Sequence, residues 1–125
     1  MAGIHVVRLD PTQALPSTNP IFIGAVSTQD MVDEAKADLL RVTAVTFADG
    51  AVNRPHRHTT DQALIAMSGS GFVATDEARH PLEPGDVAFI PSGTRHWHGA
   101  AANSTFTHLA ILTPGHTTVE DDDRD

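Results

Sequence analysis

From Leu39 to Thr113 the chain is a succession of short runs with a two-residue period, each cut off by a glycine or proline turn. Arg41, Thr43, Val45 and Phe47 alternate with Leu40, Val42, Ala44 and Thr46, so one set faces a core and the other does not. Asp49-Gly50, Ser68-Gly69-Ser70-Gly71, Glu83-Pro84-Gly85, Pro91-Ser92-Gly93 and Pro114-Gly115 are the breaks. Between them lie strand candidates at residues 63–67, 72–75, 79–82, 87–90, 95–99 and 105–113. Upstream, residues 4–9 and 21–26 read as two further strands, separated by a loop with three prolines. Residues 31–38 alone have helix-forming composition, and the run is too short for more than a loop or one turn. Many short strands with almost no helix predict an all-β sandwich or barrel.

At 125 residues this is one domain with room for a core. The absence of cysteine removes disulfides, thiolate metal sites and a cysteine nucleophile. A formal net charge of −8 argues against nucleic acid or an anionic membrane surface as a partner. Part of that charge is the run Glu120 to Asp125, which reads as a solvated, frayed end. No apolar run is long enough to span a bilayer, and the start lacks a basic segment followed by an apolar one. A cytoplasmic location is therefore expected.

Eight histidines are spread along the chain. Residues two apart on a strand share a face, so His56 and His58 point one way, as do His96 and His98. Two such pairs, each beside glycine turns, are a good start for a metal site, since imidazole suits divalent transition metals. His108 shares a strand face with Phe106, Ala110 and Leu112, where a lone histidine is a hydrogen-bonded core residue as readily as a functional one. His5, His80 and His116 read as surface residues.

The spacing of these residues resembles the two cupin motifs. Gly50, His56, His58 and Gly69 stand at the positions of the first, with Gln62 where most cupins carry Glu. Gly85, Pro91, Gly93 and His96 fit the second, with Ala100 in place of its Asn. The resemblance implies a small double-stranded β-helix barrel (jelly-roll-like) holding one divalent metal ion through His56, His58, Gln62 and His96. Manganese is the first expectation, with iron, nickel, cobalt or zinc as alternatives. The Gln supplies a neutral amide oxygen, so the ion keeps its full charge as a Lewis acid. The H-x-H-x3-Q pattern, the string His96-Trp97-His98-Gly99-Ala100 and the later Thr107-His108-Leu109-Ala110-Ile111 resemble a subgroup of small cupins that includes manganese-dependent hydroxynitrile lyases. Leu112 departs from it, standing where a polar Gln is expected.

The function that follows is metal-dependent chemistry on a small oxygenated organic substrate, with His108 or His98 moving the proton and Thr43, Val45, Phe47, Asn53, Phe72 and Leu112 around the pocket. A dioxygenase or oxidative-cleavage cupin, and a non-catalytic metabolite-binding cupin, are the alternatives. The expected organisation is an N-terminal part at 1–36 that packs at or is exchanged across a homodimer interface, a barrel at 37–115 and an acidic flexible tail at 116–125.

Overall fold

A computed structural model describes residues 3–124; Met1, Ala2 and Asp125, which belong to the expected N-terminal part and tail, lie outside the described residues. In chain order the strands are β1 (Leu15–Pro16), β2 (Phe22–Ile23), β3 (Val26–Val32), β4 (Arg41–Phe47), β5 (Val52–Asn53), β6 (His56–His58) and β7 (Gln62–Gly69). They continue with β8 (Gly71–Ala74), β9 (Arg79–Leu82), β10 (Val87–Ile90), β11 (Trp97–Ala100), β12 (Phe106–Leu112) and β13 (Thr117–Val119). A single 3-10 turn at Pro11–Gln13 is the only helical element among the described residues.

A six-stranded sheet runs β1-β3-β4-β12-β7-β10 and a five-stranded one β2-β5-β11-β8-β9, with β13 and β6 pairing as a short third ladder. All pairs are antiparallel. The inward residues of both sheets, among them Val45, Phe47, Leu64, Val73, Ile90 and Phe106, form one apolar cluster. Phe47 and Phe106 are fully buried, and their rings stack at 6.5 Å between centroids. Burying each such side chain contributes roughly 1.5–3 kcal/mol. The glycine turns are required by what surrounds them. Gly69 has φ +74°, and a Cβ there would sit 1.8 Å from the Thr105 carbonyl oxygen, so the β7–β8 hairpin closes only with glycine.

Strand β12 shows how the barrel divides. Its inward residues run Phe106, His108, Ala110, Leu112, with the first two fully buried and the last two only partly so. Apolar core fills one end, and a cavity opens towards Leu112 at the other. The register between β12 and β7 slips between Thr107 and His108, a bulge that re-aims the side chains beside the cavity.

Three expectations from the sequence are corrected. Residues 4–9 form no strand; instead the side chain of Gln29 takes the place of a neighbouring strand, donating from Nε2 to the Arg8 carbonyl (2.8 Å) and accepting from the Asp10 N–H (3.0 Å). Residues 21–26 break at Gly24 (φ +94°), where the chain leaves the five-stranded sheet for the six-stranded one. The single turn expected around residues 31–38 is present, with Lys36 and Ala37 donating to the Asp33 carbonyl after β3 ends at Val32. The acidic tail is docked, not frayed: β13 pairs with β6, because its charges meet arginines at the barrel surface. Glu120 pairs with Arg57 and Arg95, and Asp76 and Asp123 also contact Arg95.

Candidate metal centre

The two histidine segments meet through their backbones. His56 N–H donates to the His96 carbonyl and His96 N–H to the His56 carbonyl, both at 3.0 Å. Gly93, at φ +79°, then turns its N–H onto the His58 carbonyl at 2.8 Å. With the backbones clamped, the alternation of β6 sends both His56 and His58 inward and leaves Arg57 exposed.

His56, His58 and His96 are all buried, with ligand atoms within 4.8 Å of one another. Each presents one ring nitrogen inward because the other is occupied. His56 Nδ1–H donates to the Arg54 carbonyl (2.8 Å) and His96 Nδ1–H to the Thr94 carbonyl (2.9 Å), while His58 Nδ1 is paired with the Thr117 hydroxyl (2.8 Å). Hydrogen bonds at the outer nitrogen fix the tautomer and ring orientation, as around metal-bound imidazoles. The inward Nε2 atoms of His56 and His96, whose outer partners are carbonyls, are therefore lone pairs. His58 Nε2 is buried with no hydrogen-bond partner, and Gln62 Oε1 lies 3.3 Å from His96 Nε2, so the side chains present nitrogen and oxygen to one point that a cation would satisfy. Burial, then the neighbouring His96 ring, pushes His56 down to about 3 and His58 to about 4, and burial also lowers His96. Neutral imidazoles are the form that binds metal. The residues present fit a divalent ion held by nitrogen and neutral oxygen.

Beside this group lies a cavity of about 480 Å³. Thr43, Val45, Asn53 and Leu112 line it together with His98 and His108. His98 and His108 touch, His108 Nε2 lying 3.0 Å from His98 Nδ1, and the Asn53 amide packs against the His98 ring. Burial lowers His108 to about 4; burial and then the charge of His108 hold His98 well below its ordinary value.

Two expected pocket residues lie elsewhere. Phe47 belongs to the core beneath the cavity, its ring centroid 6.0 Å from that of His98 and 5.4 Å from that of His108. Phe72 lies on the outer face of the five-stranded sheet under the Arg79 guanidinium (3.7 Å), because it pairs with Gly99 while its neighbour Val73 pairs with the inward His98. It borders a separate, more open groove of about 620 Å³ that contains none of the histidines. Phe22, Thr28, Asp30, Thr117 and Val119 line the cavity without having been expected there. They come from β2, β3 and β13; the partners of β2 and β13 are distant in sequence, so no local pattern marks those two strands. Ala110 is the exception, sharing the parity of His108.

A family model described as a cupin domain matches residues 43–112. The (R)-mandelonitrile lyase of Granulicella tundricola is 36% identical over 91 residues, which are 72% of this chain and 70% of that protein. The dimethylsulfoniopropionate lyase DddW of Ruegeria pomeroyi is 27% identical over 94 residues, covering 74% of this chain and 61% of that protein. Among solved structures, a cupin-like protein from Thermotoga maritima superposes with a TM-score of 0.83 at 30% identity, over 90% of this chain and 89% of that one. The matched segment contains both histidine motifs, the strands that carry them and the barrel wall between, and the chain belongs to the cupin family.

Proposed function

We propose that this cupin is a metal-dependent lyase that cleaves a small oxygenated molecule of the cyanohydrin type. The observation that carries the reading is the convergence of three neutral imidazoles, their outer nitrogens all tied off, on the wall of a cavity that also holds His98 and His108. Gln62 is the proposed fourth ligand and manganese the proposed ion, with iron, nickel, cobalt and zinc as alternatives. A bound divalent ion would supply Lewis acidity towards a substrate oxygen. The two relatives named above are both lyases, which supports bond cleavage without an added oxidant.

The chain's own residues divide the work. Val45, Ala110 and Leu112 give the organic group an apolar wall, while Thr43 supplies a hydroxyl at the rim. His108, neutral because it is buried, accepts the substrate hydroxyl proton as the carbonyl forms. The C–C bond to cyanide breaks with its electron pair leaving on carbon, and the abstracted proton is returned to give hydrogen cyanide and an aldehyde or ketone.

Manganese-loaded protein mixed with mandelonitrile at acidic pH should release benzaldehyde faster than buffer alone. Leu112→Gln, which adds an amide beside Gln62, its strand neighbour, should raise that rate. No release by either protein, with the metal shown to be bound, would overturn the cyanohydrin assignment.

We further propose that the chain pairs with a second copy. Val87, Phe89 and Met67 are exposed together on the outer face of the six-stranded sheet, and Ile4 and Val6 are exposed in the N-terminal segment. A monomeric mass by light scattering would contradict this.

A further inference from the structure

Strand β3 turns polar residues towards the cavity. Its outward Gln29 is buried against the N-terminal segment that it holds, while Thr28 and Asp30, the inward residues after Val26, line the cavity. The register fixes where they stand. Thr28 lies in line with Val45 and His108 across β4 and β12, and Asp30 lies one row nearer the open end, in line with Thr43 and Ala110. The ladder slips between Asp30 and Val32, so a bulge of the kind that re-aims side chains sits beside Asp30.

Asp30 is the only carboxylate among the side chains around the cavity, and no lysine or arginine lines it. The charge is also unspent. Its one side-chain contact is long, from the Thr43 hydroxyl at 3.5 Å, and among the described residues it pairs with no cation. Asp76, Glu120, Asp122 and Asp123, by contrast, each meet an arginine. Arg41 shares a neighbouring recess with Asp30 but donates to the Ala37 and Leu40 carbonyls, at 2.7 and 2.9 Å. Between Asp30 and the histidines the wall is apolar, made by Val45, Ala110 and Leu112. The strand of Asp30 lies two places from that of His108, about 10 Å across the sheet. The cavity therefore has a histidine end, an apolar middle and one negative charge at the far rim.

We infer that Asp30 is a specificity-determining residue, selecting small alcohol-type substrates that carry a cationic group at the end away from the histidines and turning away anionic ones. A cation at the rim meets an unpaired carboxylate, whereas an anion meets like charge with no lysine or arginine in the cavity to offset it. The formal net charge of −8 acts in the same sense at longer range. The inference rests on the reading of this cavity as the substrate pocket and adds the chemistry of the substrate's far end. It does not depend on which bond is cleaved. Because Asp30 is exposed, the selection is modest, up to about five-fold for one ion pair.

The test uses three probes of one shape: 4-tert-butylbenzyl alcohol, its trimethylammonium counterpart and its sulfonate counterpart. The two charged groups are poor metal ligands, so they report on the rim and not on the metal. Each probe is titrated, at neutral pH and low ionic strength, into the full chain loaded with diamagnetic zinc and labelled with ¹⁵N in its histidines. Dissociation constants are read from the shifts of the cavity histidines. The ammonium probe should bind up to about five-fold more tightly than the neutral one, and the sulfonate most weakly. Asp30→Asn, close in shape, should bring the three affinities together, and Asp30→Lys should reverse the order. Sulfonate binding as tight as that of the ammonium probe in the unmodified protein would overturn the inference, as would an order that Asp30→Lys leaves unchanged. No shift with any probe would overturn it together with the pocket it rests on. Benzaldehyde release is read separately. A failed lyase assay with the expected order of affinities would count against the reaction and not against Asp30.

Discussion

His56, His58 and His96 differ from His98 and His108 in their outer partners, although all five are buried in one barrel within a few ångströms. In the first group each Nδ1 is tied to an oxygen on the barrel wall, and three inward ring nitrogens face one point. In the second, the rings are partners of each other, and nothing converges. In the proposed function the same side chain serves as a ligand or a proton carrier according to what holds its second nitrogen. Strand parity alone cannot make that distinction, since His96 and His98 belong to one segment and both point inward.

The sharpest way to break the comparison is to remove one member of each group. His58→Ala should leave the protein without stoichiometric metal by elemental analysis and without activity. Metal retained at one per chain would show the ligand set to be misassigned. His108→Ala should keep its metal and lose turnover by about 10²–10⁴-fold, the range for a proton-transfer residue. Loss of metal in that variant would erase the division of labour. A smaller effect is expected at Thr117→Ala, which removes only the outer partner of His58. Metal affinity should fall by about 10–100-fold in a competition titration, as for other residues that orient a ligand from behind. An unchanged affinity would mean that the hydroxyl contact does not hold the ring.

The mildest test is pH. His56 and His108 are held near 3 and 4 in the folded chain, below their ordinary value near 6.5. Above that value both states are neutral, and these groups contribute no pH dependence. As pH falls from about 6.5 towards 4 the unfolded chain takes up protons that the folded chain refuses, so stability drops, by roughly 1.4 kcal/mol per pH unit for each such group. Urea unfolding of metal-stripped protein at pH 7 and pH 5 should show a lower midpoint at pH 5. Equal midpoints would mean that the histidines are not desolvated as described.

The barrel was legible because its turns are written locally. Gly69, Gly85 and Gly93 fall where strands end, and the two-residue period read from Leu40 to Phe47 became β4, which starts at Arg41. The histidine spacing carried the metal-facing triad for the same reason, since each pair is local and its parity is fixed. What could not be read was anything set by partners far apart in sequence. Phe72 was placed in the pocket because which face of β8 turns inward depends on its pairing with β11. The segment at 4–9 has the composition of a strand but, among the described residues, no ladder to join. The tail's acids looked like a solvated end because the arginines that meet them are dozens of residues away. Asn53 was expected at the pocket and lines it, but its contact with His98, 45 residues further along the chain, could not be read from the sequence.

The docking of β13 has a consequence for the order in which the protein matures. Thr117 follows every strand of the two large sheets, so the pocket and the clamp between His56 and His96 can exist before the residue that holds His58 from behind is in place. Metal captured by a partly emerged chain would rest on two fixed rings and one loose one. An ion bound at this site would then be held tightly only after β13 pairs with β6.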